Sequence, residues 1–422
     1  MKEPLPVPKS TKQASSSNQK QSGASKWSAY TALATVPLVL VLGNSMLVPI
    51  LPDMEKILKI SHLQASLIIT LFSVTAGLFI PIAGYLSDRY SRKAVILPSL
   101  AVYGAAGVLA GLGAIWGSYG VIIAARALQG LGAAGTAPIA MALVGDLYKD
   151  GEESEALGLI EASNGTGKVI SPIIGSLLAL IVWYAAFFAF PLFCALSFAA
   201  MWFMIKEPKN EQPPIPLAKY IGQVKQVFQQ QGKWLIPAFG AGSLALFNLF
   251  GVLFFLSDLL EKKPYSIDGV AKGGVLAIPL LGLVITAYIT GRVIKNNGLL
   301  MRILMNTGLL ASTAALAGAI VLHRPIYVLI TLLTISSIGT GLLLPCINTL
   351  ITGSVDRAHR GMITSLYSSL RFLGVAFGPP IFGWLASSSI PLLFGAVAAL
   401  SLISFLIVLI FVKPPRHAGD TA

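Results

Sequence analysis

The sequence predicts an all-α integral membrane protein: twelve transmembrane helices in two six-helix, pseudo-symmetric bundles. Three observations carry this. Apolar stretches of about 20 residues, the length needed to cross a bilayer, recur along the whole 422-residue chain. Only 11% of residues are charged and 55% are hydrophobic, whereas soluble domains carry about 25% charged residues. The basic residues gather in alternate short loops, which is a topology signal.

The first element is a polar, basic tail at 1–27, rich in Ser, Gln and Lys and expected to be disordered. The apolar stretch after it is too long for a signal peptide, contains Pro37 and Pro49, and lacks a small-residue cleavage site, so it reads as a retained first span. The six spans of the first bundle, within 28–205, fall at 28–50, 64–86, 94–116, 120–144, 156–180 and 184–205. A polar segment at 206–233 follows, with four prolines and then an amphipathic stretch from Leu217 to Gln231. It reads as a solvated linker or as a helix lying on the lipid surface. The second bundle, within 234–412, has spans at 234–257, 270–293, 301–322, 326–351, 362–386 and 390–412, and a tail at 413–422 ends the chain.

Placing the N-terminus inside puts most of the 30 Lys and Arg residues on the cytoplasmic side and leaves only Lys56, Lys59, Lys262, Lys263 and Arg324 outside. Both termini are therefore expected in the cytoplasm. The formal charge of +13 would point to nucleic acid in a soluble protein. Here it reports orientation, and no nucleic-acid partner is expected. Cys194 and Cys346 both fall inside spans and have no metal-ligand spacing.

The two bundles match at a fixed offset of 207 residues: Gly84 with Gly291, Gly132 with Gly339, Pro138 with Pro345, Gly167 with Gly374, and Pro172 with Pro379. One offset shared by three separate regions indicates a duplicated six-span unit. Parallel repeats of this kind build transporters with a site between the halves near the midplane.

The loop between the second and third spans holds Gly84, Leu86, Ser87, Asp88, Arg89, Ser91, Arg92 and Lys93. The fourth span carries Arg126-Ala-Leu-Gln129-Gly130, and the first ends with Gly43-Asn44 followed by Pro49 and Pro52. The fifth reads Gly167-Lys168-Val-Ile-Ser171-Pro172-Ile-Ile-Gly175-Ser176, and the eleventh repeats its core as Gly374-Val-Ala-Phe-Gly378-Pro379. These residues resemble the major facilitator superfamily and, within it, the twelve-span drug:proton antiporters of the multidrug-resistance kind. The family loop pattern G-x-L-a-D-r-x-G-R-K is met except that Ser91 replaces the second glycine; the second-half copy has Gly298 there and Lys295 opposite Asp88. R-x-x-Q-G is met in full. In G-x-x-x-G-P-x-x-G-G, Ser171 and Ser176 replace two glycines.

The resemblance implies a conformational latch of Gly84, Asp88, Arg89 and Arg92, and a proton relay that includes Arg126. It implies a helix-packing motif of Gly167, Pro172, Gly175, Gly374, Gly378 and Pro379. It also implies proton-coupled export of lipophilic drugs or related amphiphiles by alternating access, as a monomer in the cell membrane, with no cofactor.

The residues add candidates of their own. A charge as deep as Arg126 costs several kcal/mol unless partnered or hydrated; it faces a cavity or snorkels to the interface. Glu161, Asn164, Gly165 and Lys168 share one helix face. Glu161 and Lys168 lie about 10 Å apart along the axis. They read as a titrating pair, as an anion-binding lysine with a separate acid, or as structural ion pairs between helices. Arg371 in the eleventh span faces the same choice. Asp53 and Glu55 flank the outer end of the first span, as solvated loop acids or, for Asp53, as a proton-entry group. Asp146 closes the fourth span, before a loop that is acidic where the family often has arginine. Asn44, Gln129 and Asn348 are polar positions suited to a ligand or a neighbouring helix.

No phosphate-binding loop, zinc motif or nucleophile elbow occurs, so enzyme chemistry, ATP drive and a metal site are not expected. A second reading stays open beside drug export: Arg126, Lys168 and Arg371 outnumber the one deep acid, Glu161, which suits an anionic metabolite or lipid-linked headgroup.

Overall fold

The computed structural model describes residues 23–148, 151–207, 216–294, 297–354 and 357–413. Among these residues all regular structure is helical. The first half runs α1 (Gly23–Ser45), a short 3-10 turn (Val48–Ile50), α2 (Leu51–Leu58), α3 (His62–Arg89), α4 (Arg92–Ile115), α5 (Tyr119–Ala134), α6 (Ala137–Leu147), α7 (Gly151–Ala179) and α8 (Ala185–Met204). The second runs α9 (Leu217–Glu261), α10 (Gly269–Ile294), α11 (Gly298–Leu322), α12 (Ile326–Ser354), α13 (Arg357–Ser388) and α14 (Ile390–Phe411).

These helices make the twelve expected crossings. α2 caps the end of α1. α5 and α6 form one crossing broken at Gly135 and Thr136, just before Pro138, which has no N–H to continue the ladder. Ten segments are long and apolar enough to cross a membrane by length and composition. α7 and α13 fall short on composition, although they are 29 and 32 residues long. Their physical reason is placement: each packs against the opposite half, α7 on α10 and α13 on α3. Polar residues there face protein instead of lipid.

Turn chemistry sets the helix starts. Ser61 and Gln64 form a capping box at α3, and Ser91, Ser118, Asn297 and Ser389 each accept an N–H three residues on.

Two boundaries differ from the sequence reading. α1 starts at Gly23, inside the segment read as tail; residues 1–22 lie outside the described residues. The stretch from Leu217 to Gln231 is the start of a single 45-residue helix that continues through the seventh crossing. Nothing before Pro237 breaks it. At 1.5 Å per residue it is about 68 Å long, twice a bilayer core. The inner part packs on the bundle, where Tyr220 meets Tyr85 of α3 edge-on at 5.2 Å, and within α9 itself the Phe228 and Phe239 rings lie 5.9 Å apart.

The halves touch along two seams. On α3 and α13, the Thr70 hydroxyl donates to Ala376 O at 2.6 Å, the Ser369 hydroxyl donates to Gly77 O at 2.5 Å, and a Cβ on Gly84 would lie 2.8 Å from Ser365 Oγ. On α7 and α10, Gly165 abuts Val284 and Gly273 abuts Pro172 O. The end carrying Arg89, Arg92 and Lys93 is called the basic end below, and the opposite end, where Asp53, Glu261 and Asp268 cluster, the acidic end after that cluster.

Candidate functional site

Gly84 is needed bare, because Ser365 of α13 occupies the space beside it. One turn on, Asp88 forms an ion pair with Arg92, whose Nε also reaches Asp146 Oδ2 at 2.9 Å and whose Nη1 donates to Ser87 Oγ at 2.8 Å. Asp146 therefore joins the Asp88–Arg92 pair, despite the acidic loop that follows it. One helical step, about 100°, carries Arg89 away from Asp88; it is exposed and donates to Tyr85 Oη at 3.1 Å. A latch role for these residues stays an expectation. Lys295, the second-half counterpart of Asp88, lies outside the described residues.

Sequence reasoning missed Glu207. Its carboxylate accepts the Arg92 N–H (2.6 Å), the Lys93 N–H (2.9 Å) and the Ser91 hydroxyl (2.6 Å). It thus satisfies orphan donors at the start of α4, where negative charge is favoured. The Lys93 ammonium completes the exchange by donating to Trp202 O and Ile205 O at the end of α8.

Deeper in the first half, Arg126 is fully buried (0% exposed). Its Nε donates to Ile68 O at 2.9 Å, Nη1 to Gln129 Oε1 at 2.7 Å and to Gly43 O at 3.4 Å, and Nη2 to Asn44 Oδ1 at 3.1 Å. The guanidinium lies 4.4 Å from the Phe72 ring centroid. Three sequence candidates, Arg126, Gln129 and Asn44, are thus one network tying α1, α3 and α5. The cation is held by oxygens that carry no full charge, and it neither snorkels nor stands in an open cavity. Gln129 Nε2, Tyr103 Oη and Ser73 Oγ, all buried, have no hydrogen-bond partner among the described residues.

Asn164 and Lys168 are half-buried on α7. Gly165, on the same face, touches Val284 of α10, so this polar stripe runs beside the seam between the halves. The side chain of Glu161 lies outside the described residues, and its pairing with Lys168 stays an expectation. Asn348 is half-buried on α12. Arg371 is half-buried on α13 with its guanidinium 5.4 Å from the Tyr367 ring centroid, and its buried Nε has no hydrogen-bond partner.

The packing glycines sit where helices come closest. Gly167 abuts Leu38 and Val41 of α1, and Gly175 meets Met46 O; Gly374 meets Ser243 O of α9, and Gly378 lies against Phe247 O and Gly251. Pro172 and Pro379 lie inside α7 and α13 beside them. Ser171, standing where the motif has glycine, is fully buried and turns its hydroxyl back onto Gly167 O.

Asp53 is not a solvated loop acid. It lies half-buried on α2 with a carboxylate oxygen within 4.8 Å of those of Glu261 and Asp268 from the other half. Lys272, only 1% exposed, places Nζ 3.0 Å from both Glu261 Oε2 and Asp268 Oδ1, and Lys56 pairs with Glu261 across the halves. Glu55 holds His62 Nδ1 at 2.8 Å, and Asp258 of α9 lies 3.9 Å from the same atom. The advance signal for this group was Asp53 with Glu55 at the outer end of the first span; Glu261, Asp268 and Lys272 of the other half were not singled out.

Comparison with known proteins agrees with this architecture. The sequence profile of the Major Facilitator Superfamily matches residues 33–316 and 301–422. The bacillibactin exporter of Bacillus subtilis (strain 168) is 44% identical over 393 residues, covering 92% of this chain and 97% of the exporter. The multidrug efflux protein YfmO of the same organism is 26% identical, covering 87% of this chain and 89% of that protein. Among solved structures, the human organic anion transporter MFSD10 (TETRAN) superposes with a TM-score of 0.73 at 19% identity, covering 92% of this chain and 100% of that one. An ion-pair network at one end, a buried cation tying three helices, and two seams between the halves fit a multi-pass membrane transporter, not an enzyme, and the chain belongs to the Major Facilitator Superfamily.

Proposed function

We propose that this chain is a proton-coupled exporter of bacillibactin or a siderophore close to it. The carrying observation is 44% identity that runs through nearly all of both chains, against 26% to a multidrug efflux relative. The interior charge supports it. Lys168 and Arg371 are the half-buried cations of the described mid-span positions, Arg126 being already held by protein oxygens, which suits a ligand with anionic oxygens better than a cationic dye. The basic end faces the cytoplasm by its lysines and arginines, and the acidic end faces outward. The Asp88–Arg92–Asp146 group then closes the inner side between strokes.

The first experiment is transport in proteoliposomes under an imposed pH gradient, with bacillibactin beside a panel of cationic dyes. Gradient-driven movement of bacillibactin is expected, falling about tenfold or more in Lys168→Ala. A charge-assisted hydrogen bond contributes about 1.5–3 kcal/mol, and about 1.4 kcal/mol is tenfold. Movement of dyes without bacillibactin would overturn the siderophore reading in favour of multidrug export.

A further inference from the structure

We infer that the acidic end carries a proton-binding lock between the two halves, in which Asp53, Glu261 and Asp268 close around Lys272 and Lys56 and take up one proton as they close. The inference deepens the proton-coupled reading above and rests on it for its role in transport.

The charged groups that pair or cluster here can be named. α2 supplies Asp53, Glu55 and Lys56, and α3 supplies His62. α9 supplies Asp258, Glu261 and Lys262, the turn after it Asp268, and α10 Lys272. α13 contributes Gly383, against the His62 ring, and the Phe254 ring of α9 lies 4.7 Å from it. Five of the chain's 17 carboxylates therefore meet in one place, against three lysines and one histidine, in a protein whose formal charge is +13. The surplus is negative whether or not His62 is charged.

Closure brings that surplus together. Asp53, Glu55, Lys56 and His62 belong to the first half; Asp258, Glu261, Lys262, Asp268 and Lys272 belong to the second. The contacts that join them are Lys56 to Glu261, His62 to Asp258, and the Ser257 hydroxyl to Val48 O at 3.1 Å. Within the group, Glu261 already answers both Lys56 and Lys272. Asp268 is held ionised: burial pushes its carboxyl up, but the Gly269 N–H and the Lys272 ammonium outweigh this and leave it below its usual value. Asp53 has no ammonium within 4.0 Å among the described residues, while two other carboxylates lie within 4.8 Å of it. Burial first, and then the carboxylates of Glu261 and Asp268, raise the Asp53 carboxyl above its usual value against the pull of Lys272, so Asp53 is the member that takes the proton. The ammonium of Lys272 sits between Glu261 and Asp268 where a metal ion would bind, so a proton, not a metal, is the ligand.

The sign follows from linkage. A carboxyl that binds its proton more tightly in the closed state favours closure at low pH, and the preference is lost as pH rises through the closed-state pKa. A proton arriving from outside thus closes the outer face and returns an exporter towards its inward-facing state.

The test uses full-length protein in nanodiscs with spin labels at Ile57→Cys and Ser388→Cys, two exposed positions on opposite halves at the acidic end, in a Cys194→Ala, Cys346→Ala background. Distances are measured between pH 8 and pH 5. The short-distance population is expected to grow as pH falls; a one-unit pKa difference between the two states changes the closed-to-open ratio about tenfold. Asp53→Asn is expected to stay short at every pH, and His62→Gln to keep the response. A pH-independent distance in the unmutated charge cluster overturns the proposal. So does a response that survives Asp53→Asn and vanishes in His62→Gln. Lys56→Gln is expected to lengthen the distance at every pH, and an unchanged distance there counts against the lock. Failure of proton coupling is read separately, as bacillibactin flux indifferent to the gradient beside an intact distance response.

Discussion

Gly132 in the first half and Gly339 in the second, 207 residues apart, serve one purpose. Each lets a neighbouring helix approach until a Cβ would collide with a backbone carbonyl, Ser99 O for Gly132 and Gly308 O for Gly339. Arg126 and Leu333 are also 207 residues apart, and both are fully buried, yet one is a cation and the other a hydrocarbon. The acceptors around Arg126 explain the split. Asn44 and Gln129 supply side-chain oxygens in the first half. Their counterparts by the same offset are Gly251, packed against the Phe382 ring, and Ser336. Helix approach is a steric demand and persists in both copies. A buried charge needs local oxygens, and only one copy offers them.

The largest expected effect breaks this comparison from the empty side. Leu333→Arg buries a guanidinium without the Asn44 and Gln129 equivalents, at a cost of several kcal/mol. Loss of monodisperse protein in detergent is the expected readout; normal yield and melting would mean that the second half also has hidden acceptors. A middle-sized effect tests the shared plan. Gly132→Val and Gly339→Val each overpack a backbone contact and are expected to cost about 1–3 kcal/mol, seen as lowered melting temperatures of both variants. A drop in one alone would show that the duplicated glycines no longer do the same work. The smallest effect concerns Ser171, which stands 207 residues before Gly378. Ser171→Gly loses one hydroxyl-to-carbonyl bond, and a net change of about 0.5–1.5 kcal/mol in thermal stability is expected; a gain in stability would show that the serine strains the helix.

Much of the architecture was legible in order along the chain. Span length, the glycine and proline offsets and the basic loop are local patterns with direct physical causes. They located α3 and the packing glycines of α7 and α13, but not the break between α5 and α6, since 120–144 reads as one span, nor α1 as the partner of α7. The Arg126 network was legible in its members, since Arg126, Gln129 and Asn44 each stood out as polar groups in apolar spans. Their union was not, because Asn44 and Arg126 lie 82 positions apart. Glu207 escaped notice because it looks like any acid after a span. Only the fold shows that its carboxylate takes the first N–H groups of α4.

The amino-acid order alone thus determined that this chain crosses a membrane twelve times, in two related halves, with one basic end. Those properties follow from hydrophobic length and loop charge, which act within a few tens of residues. Tertiary structure decided where the charges meet. Asp53, Lys56, Glu261, Asp268 and Lys272 come from three helices and a turn, and look like ordinary span-edge residues in the sequence. Packing of the two halves takes Lys272 and Glu261 out of water and sets Asp53 beside them. Charge interactions strengthen as water is excluded, and no local pattern reports which distant ends will share that exclusion.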